Sequence, residues 1–231
     1  MSLEYDYIIA GGGSAGCVLA SRLANKSKDS ICLVEAGGSG KNLFIKMPAG
    51  NGFIFGNPKF DWGYHSVKQA QLNNRKIYYA RGKGLGGTSI VNGMVYIRGD
   101  AQDYDNLRQM GLDGWGYSDL LPYFKYSEGS TNRQNKFHGN QGPLKVEPAR
   151  NFSVLDEAFI KAAVETGHEF LDDFNANKRA GVSRIDSTTF RGVRQSSAIS
   201  YLKKVPKNLK IFTNTRVIKI LFNNNKAVGI Q

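Results

Sequence analysis

The stretch from Tyr5 to Glu35 limits the possible fold more than any other part of the 231-residue sequence. Tyr7-Ile8-Ile9-Ala10 is a short apolar run that meets Gly11-Gly12-Gly13-Ser14-Ala15-Gly16 without a gap. Ala15, Val18, Leu19 and Leu23 then recur at three- and four-residue steps, the spacing of one helix face. Ser30 to Val34 reads as a second strand, and Glu35 stands at its end. Strand, glycine turn, helix, strand, acid is the order of a dinucleotide-binding βαβ unit. Gly11 permits the turn out of the strand, Gly13 lets the backbone approach a pyrophosphate, and Gly16 lets helix lie against strand. The helix start offers N–H groups and partial positive charge to the phosphates. Glu35, nineteen residues after Gly16, is placed to accept hydrogen bonds from ribose hydroxyls. An acid at this point opposes a ribose 2′-phosphate, so FAD or NAD is favoured over NADP. A glycine turn in an unrelated α/β protein would leave the position of Glu35 to coincidence.

The chain is long enough for one good core or two small domains. No apolar run reaches the roughly 18 residues of a spanning helix. Glu4 and Asp6 interrupt the N-terminus, which does not read as a signal peptide. Cys17 and Cys32 read as small buried residues of a reduced protein, and there is no CxxC pair. The formal charge of +12 raises nucleic-acid binding. The basic residues are scattered, however, and the densest stretch, Lys203 to Lys210, reads as a solvated face. Two bound phosphates would also suit a basic protein. No nucleic-acid partner is expected.

Residues 36–75 carry little regular pattern and read as a long ordered excursion, with Trp62 and Tyr64 as loop anchors or cofactor flanks. Lys76 to Ala80 reads as a strand. It leads into a second glycine stretch, Arg81 to Gly93, with five glycines in thirteen residues. Such a run brings backbone against something flat or anionic, and its apolar residues Leu85, Ile90 and Val91 argue against a linker. Thr88 and Ser89 add hydroxyls able to cap a helix. Further helices are expected over residues 103–110, over 117–125 with Ser118 as cap, over 153–166 and over 197–203. In the third of these, Leu155, Ala158, Phe159, Ala162 and Ala163 form a stripe expected to face a core. Strands are expected at Leu144 to Val146, Leu209 to Thr213, Arg216 to Phe222 and Ala227 to Gln231, the last breaking off in mid-hairpin. There is no internal repeat.

The two glycine stretches and the excursion between them resemble the glucose–methanol–choline (GMC) flavoprotein oxidoreductases. Gly82-Lys83-Gly84-Leu85-Gly86-Gly87-Thr88-Ser89, with Val91-Asn92, Tyr96, Gly99 and Asp105, follows that family's first signature. Leu33-Val34-Glu35-Ala36-Gly37, Tyr96-Ile97-Arg98-Gly99, Gly114-Trp115, Phe137-His138-Gly139 with Gly142-Pro143-Leu144, and Ser196-Ser197-Ala198 with Tyr201-Leu202 add support. The resemblance runs through the whole chain, nearest to the bacterial choline and alcohol dehydrogenase branch.

The resemblance implies an α/β fold: a Rossmann-like, FAD-binding parallel sheet with helices on both faces and an antiparallel crossover. Residues 1–150 would be the first part of the FAD-binding domain, 151–190 the start of a substrate-side α+β layer, and 191–231 the return to the first domain. It implies noncovalent FAD, since no His stands between Arg81 and Asp105 to carry a covalent link. By the same analogy Gly11, Gly13, Ser14, Ala15 and Gly16 take the pyrophosphate, and Glu35 and Ala36 the adenosine ribose. Gly86, Gly87, Thr88 and Ser89 would follow the pyrophosphate and ribityl chain. Asn92, Gly93, Met94 and Val95 would approach the isoalloxazine ring, and the Val217 backbone would pair with adenine. The implied reaction takes a proton from a small primary alcohol and passes hydride to flavin N5, with oxygen or a quinone as final acceptor. The implied location is cytoplasmic, with peripheral attachment to the inner membrane left open. The family's catalytic base is a His in a C-terminal half with no counterpart here. His65, His138 and His168 match no catalytic position, no metal site is expected, and a structural role is expected for His138. Two alternatives stand beside this reading: a nicotinamide-dependent Rossmann enzyme, which leaves the second glycine stretch unused, and a truncated nucleotide-binding chain without activity.

Overall fold

A computed structural model describes residues 3–150 and 152–231. They form two units, residues 3–93 with 192–231, and residues 94–191. The second unit takes in residues from Met94 onward. The reason is pairing: Val95–Tyr96 joins Asp186–Ser187, which joins Leu144–Pro148, so these segments belong to one sheet.

The first unit is built on a parallel three-stranded sheet in which Ile31–Val34 lies between Tyr7–Ala10 and Leu209–Phe212. Tyr7 and Leu209 both sit in register with Ile31. All four residues of the middle strand are buried, as a strand covered on both faces must be. The helix Ser14–Lys26 packs on this sheet through Cys17, Ala20, Ser21 and Ala24. This is not the stripe expected from apolar spacing, for Leu19 is exposed and Ala15 is too. The cause is steric. A Cβ on Gly16 would lie 2.0 Å from the Gly11 carbonyl oxygen, so the helix sits too close to the chain below for large side chains on that face. Gly16, Ala20 and Ala24, four residues apart, are the small residues that allow the approach.

The excursion after the sheet is more structured than its sequence suggests. Leu43–Lys46 and Asn51–Ile54 are short helices, and Ile45, Ile54, Phe60, Ile90 and Val91 make a second small core. The Asp61 carboxylate holds the loop. It accepts from the N–H groups of Gly56 and Gly63 at 3.0 Å and of Arg81 at 3.1 Å, and from the Tyr78 hydroxyl. Burial pushes its pKa up, but these donors together hold it below the usual value. The strand expected at 76–80 is reduced to Tyr78–Tyr79, paired with Tyr64–His65. The C-terminal strands are Ile220–Asn223 and Lys226–Ile230. They close as a complete hairpin over Asn224 and Asn225, both at positive φ, as a tight two-residue turn requires.

In the second unit the sheet order is Val95–Tyr96, Asp186–Ser187, Leu144–Pro148, Glu128–Ser130, antiparallel at the first two pairings and parallel at the last. Its helices are Ala101–Gln109, Tyr117–Ser127 and Val154–Glu165. The second is capped at Gly116, whose N–H donates to Asp119, rather than at Ser118. The third has the expected Ser153 cap, with Ser153 Oγ accepting from the Asp156 N–H. Its apolar stripe does not face a core: Leu155 is 80% and Phe159 70% exposed. The pattern is present, but nothing among the described residues lies over it.

Candidate functional site

The two glycine stretches meet inside the first unit. The Gly86 N–H donates to the Gly12 carbonyl at 2.7 Å. A Cβ on Gly87, which has φ +52°, would lie 2.6 Å from Gly13 Cα. On the other side of the first turn, a Cβ on Gly37 would lie 2.4 Å from the Gly84 nitrogen. Backbone packs on backbone here, and only glycine can do this.

Glu35 ties the same turns together. Its Oε2 accepts from the Gly12 N–H at 2.8 Å and its Oε1 from the Gly37 N–H at 2.7 Å. The residue is buried, and each oxygen keeps a lone pair for a further donor. The acid at the strand end therefore has a structural task, holding the first turn, besides any contact with a ribose. Cys17 lies just beneath. Its thiol donates to the Gly12 carbonyl at 3.1 Å, and burial pushes its pKa up to about 11, so it is an inert packing group.

A cleft of about 680 Å³ opens over these turns, within the range of ligand sites. Gly11, Gly13, Ser14, Glu35, Ala36, Gly87, Thr88 and Val217 all line it. The helix Ser14–Lys26 starts on this cleft with Gly13 as its cap, no capping side chain and no acid in its first turn. Its first N–H groups are thus left for a ligand, with the positive end of the helix dipole behind them. Arg81 and Arg216 add full positive charge to the wall. The residue contacts suit a dinucleotide: anion-binding donors on one side and a carboxylate nearby.

Other expected members lie elsewhere. Ala15 and Gly16 are in the helix behind the cleft. Gly86 supports Gly12 from below. Ser89 Oγ accepts from the Ser197 N–H at 2.9 Å, so it takes the first donor of the short helix Ser197–Tyr201, far along the chain, whose cap is Ser196. Asn92 and Gly93 end the first unit. Met94 and Val95 belong to the second, where the Met94 carbonyl accepts from the Thr188 N–H at 2.8 Å and Val95 pairs with Ser187.

Several lining residues had little signal in the sequence. Trp62 stacks on Tyr64, with ring centroids 5.9 Å apart and planes 6° from parallel, so the two aromatic residues are cleft wall rather than mere anchors. Arg216 lies over the Trp62 ring at 5.4 Å. Only the spacing of Trp62 and Tyr64, two apart on an extended segment, hinted that they share a face.

None of the three histidines lines the cleft. His65 is exposed, with Nδ1 3.0 Å from the Gly63 carbonyl oxygen. His168 is exposed as well. His138, in the second unit, is buried between Glu128 Oε1 at 2.7 Å and Asp173 Oδ2 at 2.8 Å. Glu128 also accepts from Arg98 Nη2 at 2.9 Å and from the Gly139 N–H at 2.9 Å. The His138 ring is fully engaged and serves structure. No metal-holding group of His, Cys, Asp and Glu occurs among the described residues, and no helix among them is long and apolar enough to cross a membrane.

Comparison with known proteins agrees with this geometry. A sequence profile described as GMC oxidoreductase matches residues 5–231. The chain therefore belongs to the GMC oxidoreductase family. It is 41% identical over 234 residues to an oxygen-dependent choline dehydrogenase of Sinorhizobium fredii, covering 99% of this chain and 42% of that protein. A second oxygen-dependent choline dehydrogenase, from Stenotrophomonas maltophilia, is 43% identical over 235 residues with the same coverage. Among solved structures, pyridoxine 4-oxidase from Mesorbium loti superposes with a TM-score of 0.93 at 32% identity, over 98% of this chain and 45% of that one. A FAD-dependent oxidoreductase from Chaetomium thermophilum does so with a TM-score of 0.89 at 31% identity, over 98% and 41%. The chain spans about 42% of the length of the curated relatives it matches. The fold is thus the Rossmann-like α/β fold of this family.

Proposed function

We propose that this chain binds FAD noncovalently and forms the cofactor-holding part of an enzyme that oxidises a small primary alcohol. The observation that carries this reading is the junction of the two glycine turns at 2.7 Å, on the floor of a cleft walled by an uncapped helix start and a carboxylate. FAD supplies a hydride acceptor at N5 when bound. The chain's own residues do the rest of the binding. The N–H groups of Gly13 and Ser14, beside the Gly11 turn, receive the pyrophosphate. Glu35 offers its free lone pairs to the adenosine ribose beside Ala36. The Val217 backbone borders the adenine end, and Gly87, Thr88 and Ser89 follow the pyrophosphate towards Asn92 and Gly93 near the ring. The similarity to oxygen-dependent choline dehydrogenases supports a choline-like alcohol and oxygen as acceptor; a quinone is the other acceptor this chemistry allows. Cytoplasmic location, with peripheral contact to a membrane, belongs to the same proposal.

No residue of this chain is assigned as catalytic base, because the histidines do not reach the cleft. The 231 residues alone should bind flavin without turning over an alcohol. The test is an absorption spectrum of the purified chain after addition of FAD and desalting, followed by release on denaturation. Retained flavin, and no dye reduction with choline or a short alcohol, is the expected result. Retention of NAD in place of flavin would overturn the cofactor assignment, and steady alcohol-dependent dye reduction would overturn the claim that the base is absent.

A further inference from the structure

Arg194 is fully buried in the first unit, at 0% exposure. Its guanidinium donates through Nε to the Ile45 carbonyl at 2.9 Å and through Nη2 to Asn51 Oδ1 at 2.7 Å. Through Nη1 it donates to both oxygens of Asn92, the carbonyl at 2.7 Å and Oδ1 at 2.8 Å. Every one of these acceptors is a neutral amide. No carboxylate among the described residues forms an ion pair with it. Arg98, the other deeply buried arginine, instead has Glu128 at 2.9 Å. A buried cation with only neutral partners is costly, and burial accordingly pushes the Arg194 guanidinium down to about 10. The guanidinium donors account for the staple joining Ile45, Asn51 and Asn92, while the charge itself has no ion-pair partner among the described residues.

The position of the charge suggests its use. Asn92 is exposed while Arg194 behind it is sealed, so the cation stands one residue beneath the surface at the end of the second glycine stretch. Guanidinium has only donors, so it fixes Asn92 with Oδ1 inward and leaves the Nδ2 donors for the other side. We propose that Arg194 tunes the bound flavin: it orients the Asn92 amide and stabilises the negative charge that the ring gains when it accepts a hydride. This inference rests on the flavin site proposed above, which brings Asn92 close to the ring. The charge balance is simple. Neutral oxidised flavin takes two electrons and one proton, delivered together as hydride from the alcohol carbon, and ends with one negative charge. A fixed cation in a low-dielectric wall favours that product.

The decisive variant is Asn51→Asp, which sets a carboxylate against Arg194 without removing the arginine. The flavin-loaded chain is titrated with dithionite against a reference dye, and melting is followed in parallel. The expected result is a shift of at least about tenfold towards oxidised flavin, roughly 30 mV for a two-electron couple, with melting unchanged or raised. Asn51→Ser, which loses the acceptor but adds no charge, should not shift the equilibrium in that direction. Gln71→Glu, an exposed change of equal charge, should leave it unmoved. A flavin-loaded Asn51→Asp chain with the parent's potential, or an equal shift in Asn51→Ser, overturns the inference and leaves the flavin site standing. A parent chain that retains no flavin overturns the site and the inference together.

Discussion

Loops meet in both units, but the chemistry of the two junctions is opposite. In the first unit the junction has almost no side chains: Gly12 and Gly13 face Gly86 and Gly87, and Gly37 faces Gly84. In the second unit six ionisable side chains converge. Glu128, Asp173 and Asp186 are matched by Arg98, Arg133 and His138. With His138 protonated these six charges cancel; Asp172, a further partner of Arg133 at 2.8 Å, is 92% exposed and keeps its charge in solvent. One junction leaves N–H groups free beside an open cleft. The other engages both ring nitrogens of His138 and leaves only Arg98 Nε of the cluster's described donors without a partner, so His138 has no chemistry to perform. A site for a ligand and a brace for a loop thus differ in whether their polar groups are already satisfied.

The most damaging change should be an alanine at the glycine junction. In Gly16→Ala the new Cβ would stand 2.0 Å from a backbone oxygen, and in Gly87→Ala 2.6 Å from a backbone carbon at a positive φ. Neither neighbour is a flexible side-chain end that could swing away. Each variant should lose more than about 4 kcal/mol in urea denaturation, enough to leave a chain of this size largely unfolded. Gly93→Ala, with no heavy atom within 4 Å of the added Cβ, should stay within about 1 kcal/mol of the parent. Equal effects in Gly16→Ala and Gly93→Ala would mean that the close packing is not real.

Next is the brace. His138→Ala leaves Glu128 and Asp173 buried without the cation between them, and should cost about 3–5 kcal/mol. His65→Ala, an exposed ring on one carbonyl, should cost less than about 0.5 kcal/mol. If the two histidine variants melt alike, His138 is not a structural ion.

The brace should also respond to pH. Burial alone would lower the His138 pKa, but the hydrogen bonds and charges of Asp173 and Glu128 outweigh it and raise the value from 6.5 to about 9. The folded value is above the unfolded one, so this stabilisation is complete below about pH 6.5 and is lost as pH rises through about 9. Asp173 has the opposite sign. Burial raises its pKa, yet His138 and Asn175 hold it below the usual range, so its share is present above its unfolded pKa and lost on acidification. The stability gap between parent and His138→Ala should therefore narrow from pH 7 to pH 10. Denaturation curves showing a gap that widens over that range would contradict the assignment.

These two junctions were not equally readable from sequence. The glycine turns announce themselves because glycine is the only residue that serves there, and they lie in unbroken runs. The family resemblance carried by Gly82 to Ser89 followed from that. The brace is assembled from common residues up to 88 positions apart, Arg98 to Asp186, each unremarkable where it stands. His138 was readable only as structural, without its partners. Asp61 and Arg194 were missed for the same reason, since what marks them is burial and the backbone groups they gather. The two-residue strand Val95–Tyr96 is too short to leave a pattern in the sequence.

The smallest expected effect tests the sharpest difference between pattern and structure. The helix Val154–Glu165 has a strong apolar stripe, and a stripe of that spacing is normally core. Here Leu155 and Phe159 are exposed, so replacing them removes little buried surface. Leu155→Ser and Phe159→Ser should each change the stability of this chain by less than about 0.5 kcal/mol, as surface substitutions do. Were the stripe packed, the same changes would cost about 3–5 kcal/mol. The stripe records what a helix is built to sit against, while its exposure records what the 231 residues provide. The chain covers 42% of its relatives' length, so the two need not agree. A large loss in either variant would show that the helix packs in solution on this chain's own surface. A negligible loss would mean that the helix is held by the Ser153–Asp156 cap and by Ile160 and Ala163, which are half-buried, with Phe152 half-buried just before it.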